Sequence, residues 1–355
     1  MNPTERPLAS IPVRLTALCP QLSRGPLAGV LALGVATSAA ACELCAIYRA
    51  ADARGEYGSG VTATASVQYV ASDSAQFEGT TFHRSDEDYL HRWTTHLVAG
   101  WNVGERFGVS LNVPQIFQSY QRRELENGVF PRTLSGDQSG LGDLALVARW
   151  RALQWSSMDW GTSLNLLAGL KLPSGSAEAL EDQERQVLAY EAIVGPGHDH
   201  DALGQVVSGV HPRDLSLGSG SIDGIFGLAG NVRWKRAFMN AQAQYYLRSE
   251  GAGSYQYADD LILSGGPGVF LWVQTKSTLS LQLNASYETM GSDTLLGRTS
   301  THTGMTSWYL GPIVAWTWKS QLSVQAGFDI PVQVANRGFQ NVPDYRCNAG
   351  VTYRF

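Results

Sequence analysis

From Val61 to the end of the chain, apolar and polar residues alternate with a period of two in segments of about ten residues or more. In the last segment, Tyr345 to Phe355, the apolar and the polar side chains fall on opposite faces. Such alternation indicates β-strands, and a strand that spans a membrane needs roughly 9–11 residues with its apolar side chains outward. No segment after Val61 has a convincing 3.6-residue stripe, so the pattern predicts an all-β chain.

The connections between the predicted strands are alternately short and long. The short connections are residues 104–106, 153–159, 235–236, 274–277 and 319–321, and the long polar ones are about 72–88, 123–139, 173–221, 249–259, 292–304 and 335–344. Outer-membrane barrels have short periplasmic turns and long extracellular loops. The alternation therefore predicts a transmembrane antiparallel up-and-down β-barrel of about twelve strands, of the outer-membrane type. Both termini are expected in the periplasm, and the longest loop is expected to constrict the opposite mouth.

The barrel is expected to occupy residues 59–355, after a secretory signal peptide. The apolar run from Pro26 to Cys42 has an apolar part of about a dozen residues, too short to span a bilayer as a helix. Arginines precede this run, and small residues at 39–41 end it, as in a signal peptide. We expect a signal peptide over residues 1–41 and a periplasmic segment over residues 42–58. A lipid attached to Cys42 is the alternative.

Composition agrees with a β-rich chain that makes many tight turns. The chain has 355 residues, of which only 16% are charged, and it contains 38 glycines, 10 tryptophans and 14 tyrosines. The formal net charge of -5 gives no reason to expect nucleic acid as a partner, because nucleic-acid sites are basic.

Short motifs in the middle of the chain resemble a known family. They are S-G-L-G-D-L-A-L-V-A-R-W at 139–150, L-L-A-G-L-K-L-P-S-G at 166–175 and G-S-G-S-I-D-G-I-F-G at 218–227, with L-N-V-P at 111–114. These motifs resemble the outer-membrane transporter-like barrels named after a phenol meta-cleavage pathway protein. The resemblance implies an outer-membrane barrel with a transport role. It implies no particular substrate and no catalytic residues.

The C-terminal residue provides a second resemblance to known proteins. Phe355 ends an alternating strand, which resembles the C-terminal assembly signal of bacterial outer-membrane barrels. We expect Phe355 to be recognised by the barrel-assembly machinery, and we expect the strand Tyr345–Phe355 to close the barrel by pairing with Val61–Val70.

Charged residues on the inward faces of the predicted strands are the first candidate site. Charges in a barrel lumen set its selectivity, and an excess of arginine over acids favours anionic solutes. The alternative is that these charges pair across the lumen and fill it. The residues are Arg92, Arg122, Asp143, Arg149, Arg151, Lys171, Asp223, Arg233, Arg248, Asp260, Glu288, Asp329, Arg346 and Arg354.

Cysteines and histidines give two weaker candidates. Cys42 and Cys45 form C-E-L-C, a spacing that suits a disulfide in an oxidising compartment and also a redox or metal site. No histidine follows Cys45, so the haem-attachment motif is absent. His198, His200 and His211 lie in the longest loop, beside aspartates that also bind transition metals. Such residues are equally typical of a polar surface loop.

The sequence as a whole predicts a channel. We expect passive passage of a small solute, anionic or aromatic, through an outer-membrane barrel surrounded by lipid. The alternative is a structural or partner-docking barrel whose C-x-x-C segment serves a periplasmic metal or redox partner. No cofactor is expected. No G-x-S-x-G motif is present, and although His96 is expected to face the lumen, no nucleophile is identified for it, so an enzyme is not expected.

Overall fold

The structure is a computed structural model that describes residues 59–82, 88–126, 130–195 and 208–355. Its strands are β1 (Gly60–Ser72), β2 (Ser74–Phe77), β3 (Thr80–Phe82), β4 (Tyr89–Val103), β5 (Phe107–Glu126), β6 (Phe130–Leu141), β7 (Leu144–Ser156), β8 (Trp160–Leu172), β9 (Asp223–Trp234), β10 (Ala237–Leu247), β11 (Tyr255–Gln256), β12 (Asp260–Val273), β13 (Ser277–Met290), β14 (Thr294–Leu295), β15 (Arg298–Thr299), β16 (Met305–Trp318), β17 (Leu322–Asn336), β18 (Phe339–Val342) and β19 (Tyr345–Arg354). The helices are α1 (Glu178–Val194), α2 (Pro212–Leu215) and a 3₁₀ turn at Ala252–Ser254.

Twelve of these strands close into an antiparallel barrel, as the sequence predicted. Their order around the barrel is β1, β4, β5, β7, β8, β9, β10, β12, β13, β16, β17 and β19. The terminal strand β19 pairs with β1 over ten residue pairs, from Thr62 with Arg354 to Ala71 with Tyr345. The backbone amide of Phe355 also donates to the carbonyl of Val61 at 3.0 Å. Closure therefore joins the two ends of the described barrel sequence.

The alternating pattern separates the two surfaces of the barrel wall. Leu97 and Leu283 are examples of apolar side chains that are about half exposed on the outside, whereas their neighbours His96 and Asn284 are buried inside. An apolar exterior with a polar interior is the arrangement that a barrel adopts in lipid. Outward-facing tryptophans lie near the short turns, where amphipathic rings favour a membrane interface; they are Trp101, Trp150, Trp160, Trp234, Trp272, Trp316 and Trp318.

The two ends of the barrel differ in their connections. One end, called here the short-turn end, carries tight hairpins such as Lys319–Ser320, where both residues have positive φ angles of 51° and 56°. Two consecutive positive φ angles make a type I′ turn, whose twist matches that of the paired strands. The other end, called here the long-loop end, carries six longer connections that contain all of the small strands and the helices.

Two of the long connections contain regular structure that the sequence pattern did not predict. Residues 173–221 contain the 17-residue helix α1, although no helix was predicted. The helix buries Leu180, Gln183 and Val187, and because one of these three residues is polar, its apolar stripe is too weak to recognise from sequence. Residues 123–139 are largely strand, since β6 pairs with β5 as far as Phe130 and Glu126.

The small strands arise where long connections pair with each other. Segments β2, β3 and β18 form one three-stranded sheet, and β11, β14 and β15 form another. Helix α1 packs against the second sheet through Leu180, Val187, Tyr255 and Leu295. Within the residues that the structure describes, no helix is both long and apolar enough to cross a membrane.

Candidate functional site

The interior of the barrel is partly filled by residues 208–221, called here the inner loop. Most residues of the inner loop are buried, although it belongs to the connection between β8 and β9. Its amide at Gly209 donates to the Asp88 carboxylate at 3.2 Å, and its carbonyl accepts from the backbone amide of Asn341 at 2.8 Å. The inner loop therefore lies inside the long-loop end and contacts connections from other parts of the barrel wall.

Helix α2 of the inner loop is held from opposite sides of the barrel. From β5, the side-chain amide of Gln118 donates to the Leu215 carbonyl at 2.6 Å, and Arg92 of β4 donates to the Asp214 carbonyl. On the other side, Arg213 forms a buried ion pair with Asp293, which belongs to the connection after β13. Because these groups come from facing strands, the inner loop crosses the lumen.

Two tyrosines stabilise this crossing. The Tyr255 hydroxyl donates to the Asp293 carboxylate at 2.5 Å, and the Tyr257 hydroxyl donates to the Arg213 carbonyl at 3.0 Å. Burial raises the pKa of both phenols above the ordinary value. Both hydroxyls therefore keep their protons and act as hydrogen-bond donors.

A row of five charged residues, called here the charge row, lines the wall under the inner loop. The Lys171 ammonium lies 3.0 Å from Asp143 and 2.7 Å from Asp223, and the Arg248 guanidinium lies 3.1 Å from Asp223 and 2.5 Å from Asp260. Asp223 is completely buried and is shared by both bases. Three acids and two bases thus alternate along neighbouring strands.

The charge row also fixes the end of the inner loop. Asp143 accepts hydrogen bonds from the Ser219 amide at 2.8 Å and the Ser219 hydroxyl at 2.7 Å. The same hydroxyl lies 2.7 Å from the Lys171 ammonium, and the Ser221 hydroxyl donates to Asp223 at 2.8 Å. Charge-assisted hydrogen bonds of this kind are the stronger ones in proteins, so the inner loop is anchored where it rejoins the wall.

A second buried ion pair lies on the opposite wall. Arg346 of β19 donates to Glu288 of β13 at 2.8 Å, and its guanidinium lies 3.3 Å from the centre of the Tyr309 ring. Asp329 stands beside Arg346 in the strand register. Cation–π contact adds to the electrostatic attraction, so this arginine is held by a carboxylate and an aromatic face together.

A cavity of about 300 Å³ lies between the inner loop and these walls. Its apolar lining includes Leu90, Ile116, Ile262 and Met305. The charged lining consists of four bases, Arg92, Lys171, Arg213 and Arg248, and five acids, Asp143, Asp214, Asp260, Glu288 and Asp293. The wall of this cavity therefore lacks the excess of arginine on which the expectation of an anionic solute rested.

Between the long-loop end and the short turns, much of the interior is lined by Asn, Gln and His side chains. A group of polar side chains called here the amide belt is buried there: His96, Asn112, Asn165, Asn231, Asn240, Gln242, Gln244 and Asn284. His96 contacts Asn112 at 3.2 Å, but the amide groups of Asn240 and Asn284 have no hydrogen-bond partner in the protein. Buried polar groups are satisfied by ordered water when the protein supplies no partner. The amide belt thus surrounds the lumen with buried polar side chains, some of which have no partner in the protein.

The remaining candidate charges lie at the short-turn end and on the extended hairpin. Arg149 donates to the side-chain oxygen of Asn102 at 2.6 Å, and Arg233 donates to the Lys235 carbonyl at 3.3 Å. Arg354 is half-buried on β19, and Arg122 is half-buried on β5. The predicted charges therefore lie in three regions: around the inner loop, at the short-turn end, and on the extended hairpin formed by β5 and β6. Their role in selectivity stays a prediction.

The other predicted site residues are only partly described. The signal peptide, Cys42, Cys45, His198 and His200 lie outside the described residues. His211 is buried in the inner loop, where its backbone amide donates to Asp214 at 2.8 Å. In the part of the chain that the structure describes, no three His, Cys, Asp or Glu side chains are placed to hold a metal ion.

Sequence reasoning missed Arg213 and Asp293 as interior residues, whereas it had placed Gln118 on the inward face of its strand. Arg213 and Asp293 lie in long connections, which have no alternation from which a direction could be read. The sequence R-D-L after His211-Pro212 does combine a proline at a helix start with charge, and proline is typical of the first turn. That signal predicts a helix but not its position inside a barrel.

The sequence matches no family model and no curated protein. Among solved structures, an outer membrane channel from Pseudomonas putida F1 is similar, with a TM-score of 0.55 and 14% identity over 84% of this chain and 96% of that chain. The β domain of the Bordetella autotransporter BrkA has a TM-score of 0.42 and 10% identity over 83% and 100%. The CymD monoaromatic hydrocarbon channel has a TM-score of 0.34 and 8% identity over 85% and 90%.

These similarities concern the fold. The match covers nearly the whole length of the Pseudomonas putida structure. This agrees with the closed barrel described above. The more specific family suggested by the motifs at 139–150 and 166–175 stays a prediction. The chain is a closed twelve-strand antiparallel barrel of the outer-membrane type.

Proposed function

We propose that this protein is an outer-membrane channel for the passive passage of a small solute. The observation that carries the proposal is the interior, which has buried polar side chains on nearly every strand and contains a cavity of about 300 Å³ under the inner loop. A barrel that only served as a scaffold would have no need of unpaired amides inside its wall. The similar structure from Pseudomonas putida F1 is itself an outer membrane channel, which supports the proposal.

A solute would have to pass two regions of the lumen in turn. A solute would first pass the inner loop, which is anchored by Asp143 and by the Arg213–Asp293 ion pair. It would then cross the amide belt, where groups such as Asn284 can exchange water for solute hydrogen bonds without a charge to desolvate. Both steps restrict size, so the channel would pass small molecules slowly. Conduction requires such weak, replaceable binding sites.

The cavity lining indicates the chemistry of the solute. Leu90, Ile116 and Ile262 supply apolar surface, whereas Lys171 and Arg248 are already bound to carboxylates. A buried ion pair resists disruption because separating it leaves an uncompensated charge. We therefore propose a solute with both apolar and hydrogen-bonding groups, and an aromatic molecule fits that description.

Current through the purified protein in planar bilayers tests the channel. We expect small, frequently interrupted conductance steps in wild-type protein. A variant that lacks residues 208–219, joined by a short glycine-serine linker, should give larger steps, because the lumen loses its crossing segment. A matched variant with the same number of residues deleted near 127–129 should keep the wild-type conductance. Absence of current from both the wild type and the inner-loop deletion, with correctly folded barrels, would refute the channel.

Orientation can be tested with single cysteines. Ser176 lies in the long connection between β8 and β9 and Ser320 lies in a short turn, and both are exposed. We propose that the long loops face the outside and that both termini face the periplasm. A cysteine at position 176 should then react with a membrane-impermeant reagent on whole cells, and one at position 320 only after the outer membrane is opened. Labelling in the reverse order would overturn the orientation.

The partner-docking alternative makes a different prediction. A lumen permanently filled by its own side chains would suit a scaffold. In that case substitution of Cys42 and Cys45 would abolish function in cells, whereas widening of the lumen would have no effect. A bulky substitution such as Asn284→Trp would narrow the lumen. If this variant loses solute uptake, the result would instead support the channel.

A further inference from the structure

Three neighbouring short turns carry a cluster of bases, called here the basic arc. The turns join β9 to β10, β12 to β13 and β16 to β17, six strands that are consecutive around the barrel. The basic arc consists of Lys235, Arg236, Lys276 and Lys319, all of which are exposed. These three turns contain no acidic residue. One side of the short-turn rim is therefore basic.

Backbone hydrogen bonds place the three turns side by side. The Lys319 amide donates to the Lys276 carbonyl at 2.7 Å, so these two lysines come from adjoining positions of neighbouring turns. The Arg236 carbonyl accepts from the amide of Phe270 on β12 at 2.8 Å, which joins the remaining turn to the same group. Like charges that face each other are destabilising, so a bound anion would stabilise this arrangement.

The other side of the rim has a different charge balance. Its two turns contain the acids Glu105 and Asp159 and a single base, Arg106, and all three residues are exposed. The terminal carboxylate of Phe355, at the end of β19, borders the arc on the far side of β17. Positive charge is therefore confined to the turns of the basic arc.

The outer surface beside the basic arc is apolar and aromatic. The Lys235 ammonium lies 5.7 Å from the centre of the Trp234 ring, and the Lys319 ammonium lies 4.4 Å from the centre of the Trp318 ring. Both indoles are about half exposed, as is Val273 beside them on the rim. Indole rings favour the boundary between hydrocarbon and water. The two ammonium groups therefore lie at the depth of lipid headgroups.

We propose that the basic arc binds the headgroups of anionic phospholipids in the leaflet that surrounds the short turns. Lysine and arginine donate to phosphate oxygens, and an anionic lipid has no headgroup cation that would offset this attraction. The exposed aromatic and aliphatic surface supplies contact for the acyl chains, which a soluble anion lacks. In the orientation proposed above, this is the periplasmic leaflet. The inference concerns the outside of the barrel and does not depend on a conducting lumen.

Quenching of tryptophan fluorescence by brominated lipids measures this preference. The purified barrel is reconstituted in phosphatidylcholine vesicles that contain a fixed fraction of either brominated phosphatidylglycerol or brominated phosphatidylcholine. Indoles beside the arc report on the bound lipid, because bromine quenches at contact. We expect about fivefold stronger binding of phosphatidylglycerol, the effect of one base near a charged membrane surface. The preference should fall at about 1 M salt, which screens exposed charges.

Three triple variants separate the charge of the arc from the charge of the whole protein. Three glutamines remove the lysine charges and should reduce the preference to near onefold: Lys235→Gln, Lys276→Gln and Lys319→Gln. Arginine at the same three positions retains the charge and should retain the preference. A matched control removes three exposed charges from the long-loop end and should behave as wild type: Arg132→Gln, Arg185→Gln and Arg337→Gln. The electrophoretic shift of the folded barrel on heating verifies that each variant is folded.

The outcomes decide between a lipid site, a soluble-anion site and a general charge effect. Equal quenching by the two brominated lipids in wild-type protein refutes the proposal, and so does an equal loss of preference in the glutamine variant and the long-loop control. Inorganic phosphate, compared with sodium chloride at the same ionic strength, should leave the preference unchanged. If phosphate abolishes it, the arc binds soluble phosphate and the lipid proposal is wrong. Absence of current would refute the channel alone, because lipid preference is measured without current.

Discussion

The charged residues at the long-loop end and at the short-turn end of this barrel differ in the contacts that the structure describes. At the long-loop end every acid of the charge row contacts a base, and Asp223 contacts two. At the short-turn end the arginines donate to neutral oxygens of Asn102 and of the Lys235 backbone. The contacts at the long-loop end hold the inner loop in place, whereas the two arginine contacts at the short-turn end are made within the barrel wall and its turns.

This difference follows from the polar groups that are buried in each half of the barrel. The inner loop brings serine hydroxyls, backbone amides and an arginine into the lumen, and these groups need partners because unpaired polar groups are costly to bury. The described contacts of the short-turn arginines are to neutral oxygens of the wall and the turns. We therefore expect substitutions in the charge row to change stability more than substitutions at the short-turn end.

The largest effect is expected at Asp223. Replacement by alanine leaves Lys171 and Arg248 with one carboxylate each, and breaking a buried ion pair from one side costs about 3–5 kcal/mol. We expect Asp223→Ala to lower the free energy of unfolding in urea by about 3 kcal/mol. Asp159→Ala, at an exposed turn of the other end, should change it by less than about 0.5 kcal/mol. Equal losses would contradict the division between the two ends.

A double-mutant cycle compares one pair from each end. For Arg346 and Glu288 we expect a coupling free energy of about 2 kcal/mol, because both partners are charged and buried. For Arg149 and Asn102 we expect about 1 kcal/mol or less. Glutamine replaces each arginine and glutamate, alanine replaces the asparagine, and urea unfolding in detergent supplies all the free energies. A larger coupling for the short-turn pair would reverse the comparison.

Asn284 tests the region between the two ends. Since its amide has no protein partner, Asn284→Ala should change the free energy of unfolding by less than about 1 kcal/mol while it widens the amide belt and raises the conductance. The matched variant Ser280→Ala, on the same strand nearer the turn, should leave the conductance unchanged. A strongly destabilised Asn284→Ala protein would show that the belt is a packed polar core instead.

The smallest effect is expected at Gly161. A methyl group there would meet Arg233 at ordinary contact distance, so Gly161→Ala should alter stability by less than about 0.5 kcal/mol. Gly108→Ala should cost about 1 kcal/mol, because its methyl would lie 2.6 Å from the Asn102 oxygen and displace the bond to Arg149. Thermal unfolding in detergent compares the two variants. If Gly161→Ala proves the more damaging, the arginines do not lie along the wall as described.

The alternation of the sequence determined the barrel, the number of its strands and the inward direction of residues such as Asp223 and Arg346. It could do so because a strand has a period of two and because lipid and lumen demand opposite side chains at successive positions. The alternation of short and long connections indicated which strand ends lie at the same end of the barrel. They also indicated the pairing of Tyr345–Phe355 with the first strand, which the structure confirms.

Tertiary structure alone decided how the charges are used. Sequence placed Asp143, Lys171 and Arg149 on one inward face without distinguishing them, because alternation gives direction but neither the partner across a lumen nor the height of a tilted strand. It could not show that residues 208–221 fold inward, since a loop has no period and its position depends on contacts such as Arg213 with Asp293 that are distant along the chain. The pairing within the charge row and the anchoring of the inner loop are therefore properties of the closed barrel.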